Sequence, residues 1–198
     1  MAKLSYTFPL LKFTTDVAFL GNNIPQARAA YPPALSFFGS PKDLFTLAIV
    51  DPDAPERNNN IISQVQHFLA FNIPGNTLAG NLSTLGDRPA GSFGYLGPSP
   101  PAGCGTHRYV IALFKQPAQI DPAVAGFGTA RYPLFFNIKS YAAANKLQLV
   151  GANYWRTTAA PAPFCTFFTD ASETVIAPEF AVGFGLGTDP SVYSKQPN

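Results

Sequence analysis

The sequence predicts a mainly β fold, an antiparallel β-sandwich that carries a few short peripheral helices. The chain has 18 phenylalanines, which favour strands, and it has 20 prolines and 16 glycines, which favour turns. Several short segments of apolar or alternating residues lie between these turn residues, whereas only two short segments suit a helix. Many strands with little helix are typical of two packed antiparallel sheets.

The bulk composition predicts one domain over residues 1–198, since the chain has a usual single-domain length and no internal repeat. Charged residues make up only 12%, and the net charge of +2 comes without a cluster of lysine or arginine. The sequence therefore lacks the basic surface of a nucleic-acid-binding protein. No apolar run approaches the roughly 20 residues that a spanning helix needs, so no transmembrane segment is expected.

The first clear strand is predicted over 44–50, an almost continuous apolar and β-branched run. The Asp-Pro-Asp-Ala-Pro segment over 51–55 follows it and is not helical, because a residue before proline is pushed toward extended geometry. A stiff loop is therefore expected to present Asp51 and Asp53. The second strand is predicted over 62–72, and its period of two residues places four side chains on one face. These four are Val65, His67, Leu69 and Phe71.

The third strand is predicted over 107–114, where His107 and Tyr109 are neighbours on one face. Arg108 points to the other face, and Asp53 is its expected ion-pair partner.

The two predicted helices are 122–130 and 138–145, the second of which has Asn137 as its N-cap and a run of three alanines. A further strand is predicted over 147–155. The remaining segment, 156–198, is rich in Pro, Phe, Gly and Thr and has few charges.

The chain has only two histidines, and each lies in or near a motif rich in acidic, glycine or proline residues. His67 follows the Asp-Pro segment, and His107 closes a Gly/Pro-rich stretch over 97–107. Two imidazoles, the Asp51 carboxylate and the Tyr109 hydroxyl would form a small polar pocket that suits a compact anion. The alternative is purely structural, with buried histidines that hydrogen-bond a carboxylate and hold the loops.

Other kinds of site are less well supported by the spacing. Histidine and aspartate are zinc ligands, but no compact pair of ligands exists, so no metal and no cofactor are expected. Ser99 is near His107 but has proline neighbours and no Gly-x-Ser-x-Gly elbow, which argues against a serine hydrolase. Cys104 and Cys165 form either a disulfide or two free thiols, because only geometry can decide their pairing.

Two motifs together resemble the signatures of the phosphatidylethanolamine-binding protein family. The first runs from Leu44 to Pro55 and continues at His67-Phe68-Leu69. The second runs from Tyr95 to Pro101 and from Gly105 to Tyr109. The resemblance covers about residues 8–155 and extends to the order and the spacing of the motifs. It implies a sandwich of a large and a small antiparallel sheet, with an anion-sized pocket at one end.

Carried over residue by residue, the resemblance implies which side chains bind the ligand, with Pro52 and Pro101 also shaping the wall. In an enzyme, the candidates for a catalytic role would be His67, His107, Asp51 and Tyr109. The set implied to bind the ligand is Asp51, Asp53, Pro55, His67, Gly97, Ser99, Pro100, His107 and Tyr109.

The chain departs from the family pattern at the rim of the implied pocket. Val65 stands where the family usually has a tryptophan, and Ser99 stands where it usually has a glycine. A charged C-terminal helix, which usually borders the pocket, is not evident in 156–198. These differences affect the choice of ligand more than the fold.

The resemblance implies a binding protein for a small anionic ligand, a phosphate headgroup or a carboxylate, with a regulatory or carrier role. A protein partner is a further expectation. The alternative is a fungal biosynthetic enzyme that acts by acid/base chemistry on an organic acid or anhydride, for example to couple maleic-anhydride units. A shallow polar cleft would favour binding, and a wide apolar cavity lined by residues after Arg156 would favour the enzyme. An extracellular protein with a vestigial pocket is a third interpretation.

The low charge, the few lysines and the sequon Asn81-Leu82-Ser83 favour a secreted or vesicular location over a cytoplasmic one.

Overall fold

The computed structural model describes residues 8–89, 94–123 and 134–168. They form two antiparallel sheets, so the predicted sandwich of a large and a small sheet is confirmed. The small sheet has the strand order β1-β2-β5, from Leu10–Lys12, Ala34–Ser36 and Gly80–Asn81. The large sheet has the order β4-β3-β6-β7, from Val65–Pro74, Leu44–Asp51, Thr106–Lys115 and Gln148–Thr158.

All four predicted strands form the large sheet, each with its ends shifted by a few residues. The one α-helix among the described residues is α1, Ile138–Ala144, and short 3₁₀ turns occur at Gln26–Arg28 and Thr166–Phe168. The side chain of Asn137 accepts a hydrogen bond from the Ser140 N–H at 2.9 Å, as its predicted capping role requires. In the described part of the chain, no helix is long and apolar enough to cross a membrane.

Two predictions fall wholly or partly outside the described residues. The predicted helix 122–130 is described only up to residue 123, which belongs to a turn. The atypical segment 156–198 is described only up to residue 168.

The main core fills the space between the two sheets. Leu11 and Leu35 of the small sheet pack in one cluster with Leu47, Tyr109 and Trp155 of the large sheet. The rings of Tyr109 and Trp155 are stacked, with their centroids 5.1 Å apart. Burial of this apolar surface is the main force that holds the two sheets together.

The outer face of the large sheet is covered by α1 and the residues just before it. Ala48, Val50 and Leu69 form a second buried cluster with Phe136 and Tyr141. The central strand β3 is therefore buried on both faces, which explains why its sequence is continuously apolar rather than alternating.

β4 contains a bulge at His67. Ile49 pairs with Phe68 and the next residue, Val50, pairs with Gln66, so His67 is an extra residue without a cross-strand partner. A bulge of this kind changes the direction in which side chains of the strand point, and such bulges are common next to functional sites.

The bulge overturns the predicted shared face of β4. Leu69 packs with Tyr141 beneath α1, whereas the ring of His67 meets Tyr109 of the main core edge-on, with 4.9 Å between centroids. A strand with strict period two would put His67 and Leu69 on the same face. One inserted residue reverses the alternation, so the prediction that His67 shares a face with Leu69 and Phe71 is wrong.

A buried amide network holds the other end of β4. Asn72 has a positive φ of 57°, and its backbone N–H donates to Oε1 of Gln116 at 2.7 Å. Nε2 of Gln116 donates in return to Oδ1 of Asn72 at 2.9 Å, and Thr46 Oγ1 lies 3.1 Å from Gln116 Oε1. Nδ2 of Asn72 donates to Asp87 and to the Ile120 carbonyl. The network fixes the strained residue and joins three strand ends.

We expect Gln116→Met to destabilise the protein by about 2 kcal/mol, because the substitution keeps the volume but leaves the Asn72 backbone N–H and the hydroxyl of buried Thr46 without the Gln116 oxygen. Urea denaturation measures the free energy of unfolding. The matched control is Gln148→Met on the exposed start of β7, where a change within about 0.5 kcal/mol is expected. Equal effects at both positions would contradict a stabilising role for the network.

Candidate functional site

A small cleft lies where the end of β3 meets the beginnings of β4 and β6. These strands are antiparallel neighbours, so the last residue of β3 and the first residues of the other two share one edge of the sheet. The cleft is small and partly open, and the roughly 240 Å³ of space between its walls includes solvent outside its mouth. Its lining combines polar and apolar side chains: Asp51, Ala54, Pro55, Val65, His67, Ser99, Pro101, His107 and Tyr109.

The buried carboxylate of Asp51 connects the cleft to the loop that follows β3. Its Oδ2 lies 2.7 Å from Nδ1 of His107, and its Oδ1 accepts the backbone N–H of Asp53 at 2.8 Å. Nδ1 of His107 is therefore the protonated nitrogen of the ring, since a carboxylate accepts hydrogen bonds. Nε2 of His107 is buried and has no hydrogen-bond partner among the described residues.

The second imidazole, His67, is held by the backbone of the loop before β6. Its Nδ1 lies 2.9 Å from the carbonyl oxygen of Leu96, so Nδ1 is the donor. Burial lowers the pKa of His67, and it outweighs the opposite effect of the Asp51 carboxylate and of the backbone of Leu96. His67 is therefore the neutral Nδ1–H tautomer at pH 7.

The hydroxyl of Tyr109 completes the polar group. Burial raises the pKa of Tyr109 well above its usual range, and the Asp51 carboxylate raises it further, so the side chain keeps its proton. An interaction with the backbone of Ser99 acts in the opposite direction. That contact falls short of hydrogen-bond geometry, and the hydroxyl has no hydrogen-bond partner in the described part of the chain.

Two buried polar atoms at the same cleft thus lack a partner from the protein, His107 Nε2 and the Tyr109 hydroxyl. The great majority of buried polar atoms in folded proteins are hydrogen-bonded. Because both atoms line one cleft from the same strand, a polar group from outside the chain, such as a ligand or a water molecule, would satisfy them.

Asp53 lies away from the cleft and holds a pair of arginines. Its carboxylate accepts Nε and Nη2 of Arg108 at 2.9 and 2.7 Å, the Arg108 backbone N–H at 2.9 Å and Nη2 of Arg57 at 3.1 Å. Burial alone would raise the pKa of Asp53, but these hydrogen bonds outweigh burial and lower it. The predicted pair of Asp53 with Arg108 is confirmed, and it anchors the 51–55 loop to β6.

The structure brings together six residues of the set that the resemblance implied and leaves three outside the lining. Gly97 and Pro100 belong to the loop that carries Ser99, but neither lines the cleft, and Asp53 faces the arginines instead. A Cβ at Gly97 would lie 2.9 Å from the Ala30 carbonyl oxygen, so this glycine permits a close backbone approach. The six are Asp51, Pro55, His67, Ser99, His107 and Tyr109.

Sequence analysis missed the apolar part of the lining, Ala54 and Val65. Val65 was noted as part of a strand face and as a departure from the family pattern, and an alanine between Asp53 and Pro55 carries no chemical signal. Among the described residues, no group of three or more His, Cys, Asp or Glu side chains is placed to hold a metal ion.

A disulfide between Cys104 and Cys165 settles the alternatives that the sequence left open. It ties the loop before β6 to the segment after β7, and two backbone hydrogen bonds support it. The Gly103 N–H donates to the Ala160 carbonyl at 2.8 Å, and the Thr166 N–H donates to the Ala102 carbonyl at 2.9 Å.

The disulfide also stands directly behind the apolar wall of the cleft. Cys104 and Cys165 belong to a buried cluster that includes Ala54 and Val65. The shape of this wall therefore depends on the packing of the disulfide, on the loop that carries Ser99, and on the segment after β7.

The chain resembles known proteins in sequence. Residues 14–155 match the family model described as phosphatidylethanolamine-binding protein. An uncharacterized protein of Saccharomyces cerevisiae is 33% identical over 71% of this chain and 76% of that protein. The 26 kDa secreted antigen of Toxocara canis is 34% identical over 63% of this chain, which spans about half (49%) of that relative's length. The carboxypeptidase Y inhibitor of S. cerevisiae is 29% identical over 75% of each protein.

Solved structures share the fold. The structure of carboxypeptidase Y inhibitor complexed with the cognate proteinase matches with a TM-score of 0.62 and 24% identity, over 78% of this chain and 84% of that chain. The phosphatidylethanolamine-binding protein of Plasmodium vivax matches with a TM-score of 0.56 and 20% identity, over 76% and 84%. At these identities, the likeness establishes the architecture of the sandwich.

We expect Asp53→Asn to destabilise the protein at pH 7 by about 2 kcal/mol, because the arginines lose a charged acceptor. The folded-state pKa of Asp53 lies below its ordinary value of 3.8. Its contribution is therefore present above about pH 4 and is lost as the pH falls through the folded-state pKa. The difference between wild type and variant should shrink toward pH 2 in urea denaturation.

The matched control for this prediction is Asp16→Asn, which removes a more exposed pair with Arg28 at 3.4 Å. A change below about 1 kcal/mol is expected there, as for other surface pairs. A destabilisation by Asp53→Asn that is the same at pH 7 and at pH 2 would contradict the assigned role of the carboxylate.

Proposed function

The chain belongs to the phosphatidylethanolamine-binding protein family, and from this premise we propose that it binds a small anionic group, a phosphate headgroup or a carboxylate, in the cleft at the end of β3. A regulatory or carrier role follows from this proposal. The observation that carries it is the pair of buried polar atoms without a protein partner, His107 Nε2 and the Tyr109 hydroxyl. The ligand would supply the hydrogen bonds that the chain does not.

The arrangement around these atoms suits a compact oxyanion. The protonated hydroxyl of Tyr109 is a donor, and the backbone of Ser99 lies beside it. The apolar wall formed by Ala54, Val65 and the prolines limits the access of water, which strengthens each hydrogen bond made inside. The small volume suits a headgroup or a carboxylate better than a large organic molecule.

The enzyme interpretation uses the same residues. In that interpretation, Asp51 would orient His107, and His107 would act as the general acid or base. Tyr109 would hold an enolate or carboxylate oxygen. That interpretation expects a wide apolar cavity lined by residues after Arg156. The described cleft is small and combines Asp51 and two histidines with its apolar residues, and this favours the binding of a compact group over turnover of a large substrate. Chemical conversion of an organic acid or anhydride by the purified protein would reverse this preference.

Inhibition of a protease is a second candidate function. The observation that favours it is the similarity to carboxypeptidase Y inhibitor in both sequence and structure. An assay of carboxypeptidase Y activity with increasing amounts of this protein tests the candidate directly. Undiminished activity at a large molar excess would exclude carboxypeptidase Y as the target.

A secreted or vesicular location is part of the proposal. The disulfide between Cys104 and Cys165 is of the kind that persists in oxidising compartments, and the sequon at Asn81 agrees with such a compartment. One relative bears the name secreted antigen, which points the same way.

We expect Tyr109→Phe to weaken the binding of dimethyl phosphate and of acetate by about tenfold, the usual worth of one hydrogen bond to a charged group. Its stability should stay unchanged, because the hydroxyl has no partner to lose among the described residues. Isothermal titration calorimetry measures the affinity, and urea denaturation measures the stability.

The matched control is Tyr95→Phe, which lies outside the cleft lining and donates to the Ala29 carbonyl at 2.7 Å. This variant should keep wild-type affinity and lose about 1 kcal/mol of stability. If Tyr109→Phe lowers stability and leaves affinity unchanged, the cleft is structural and the proposed function is wrong.

A further inference from the structure

In each of the two imidazoles of the cleft, one ring nitrogen already donates a hydrogen bond to another group of the protein. Nδ1 of His107 donates to Asp51, and Nδ1 of His67 donates to the Leu96 carbonyl. A neutral imidazole carries a single N–H, so Nε2 of each ring then holds only a lone pair. A lone pair repels the oxygen of an anion. In their neutral forms, therefore, the two histidines offer the anion no hydrogen-bond donor.

The charges of the cleft point in the same direction. Among the described residues, the lining includes the Asp51 carboxylate but no lysine or arginine. The nearest guanidinium groups, those of Arg57 and Arg108, are bound to Asp53. An anion that entered the cleft alone would face a carboxylate and two lone pairs, and the side-chain donors of the described lining would be the hydroxyls of Tyr109 and Ser99. A proton added to one imidazole would replace a lone pair with a further donor.

Resting on the proposed anion site, we propose that the cleft binds a singly charged oxyanion together with one proton taken from the solution, which Nε2 of His107 carries. The proton converts His107 into an imidazolium that donates from Nδ1 to Asp51 and from Nε2 to the ligand. The imidazolium and the carboxylate together are neutral, so the bound state holds one net negative charge. Binding and protonation then favour each other by linkage.

His107 carries the proton rather than His67 because of what each Nδ1 faces. The partner of His107 is a carboxylate at 2.7 Å, which stabilises a cationic ring, whereas the partner of His67 is a neutral carbonyl. Burial also lowers the pKa of His67. Opposite His107 on β7, the paired residue is Thr157, which does not titrate. The titratable groups around His107 are Asp51, His67 and Tyr109, and Tyr95 acts on Tyr109 in turn. The charged group nearby on the loop and on β6 itself is Asp53 with Arg57 and Arg108.

The same charge count sets a preference among ligands. A phosphodiester or a carboxylate brings one negative charge and is matched by one proton. A dianion brings a second charge into a buried site that already contains the Asp51 carboxylate, and like charges in a buried site repel strongly. The ligand class is therefore the singly charged oxyanion, whether it comes from a lipid headgroup or from a free carboxylic acid.

The test is isothermal titration calorimetry of the wild-type protein with dimethyl phosphate, which stays a monoanion at every pH used. Titrations at one pH in imidazole and in Tris buffer give the number of protons bound from the difference in heat. We expect an uptake of up to one proton at pH 7, and an affinity that falls as the pH rises from 7 to 9, by at most about tenfold for each pH unit. Titrations with acetate and with glycerophosphoethanolamine show whether the cleft binds a carboxylate or a lipid headgroup more tightly. Sulfate, a dianion, should bind at least about tenfold more weakly than dimethyl phosphate.

Each result decides one of the two proposals. The proton-linked binding is overturned if dimethyl phosphate or acetate binds without proton uptake and equally well at pH 7 and pH 9. That result would leave the anion site intact. No binding of any probe between pH 5 and pH 8 would instead overturn the proposed function itself. Sulfate that binds as tightly as dimethyl phosphate would overturn the preference for single charge.

Two variants test the assignment of the proton to His107. His107→Gln keeps a donor in the cleft, and its remaining affinity should be independent of pH. His67→Gln should keep the wild-type proton uptake in whatever binding remains. The reverse pattern would move the proton to His67. The ¹⁵N chemical shifts of the wild-type histidines, recorded with and without dimethyl phosphate, give the same answer without a substitution.

Discussion

The hydrogen bond between Asp51 and His107 is the contact on which the site depends. Both side chains are buried, and a buried carboxylate is stable only when its oxygens are hydrogen-bonded. One oxygen holds His107 at the beginning of β6, and the other holds the backbone of the loop after β3. The Asp51 side chain thereby helps to fix the register of β3 and β6, the course of the loop after β3 and the tautomer of His107.

Two aspartates only two residues apart have different tasks because of the loop between them. Asp51 ends a strand and faces the cleft, where its partners are a ring nitrogen and an amide. Asp53 turns to the opposite side and is neutralised by Arg57 and Arg108. The arginines are thus kept out of the cleft, and its electrostatics are left to the histidines and to Asp51.

Local sequence patterns predicted most of the fold, because the large sheet is built from long apolar strands and α1 begins at a clear cap. The family motifs also pointed to the cleft that forms the candidate site, since both lie at strand ends that meet at one edge. The bulge at His67 was not predictable, because it depends on the pairing of β4 with β3 rather than on β4 alone. The cysteine pairing is likewise set by the distance between distant segments, whereas the pair of Asp53 with Arg108 was expected from the sequence. The minimal small-sheet strands, of two or three residues, are too short to produce a periodic signal.

The apolar wall and the polar group of the cleft lie on different residues, and this separation affects how the protein can evolve. Ala54 and Val65 shape the space, while Asp51, His107 and Tyr109 supply the chemistry. Under the proposed function, a duplicated gene could therefore acquire substitutions at the two wall positions and shift to bulkier or slimmer ligands while it keeps Asp51, His107 and Tyr109. Divergence among paralogues is expected to concentrate at positions 54 and 65 and to spare the strand ends.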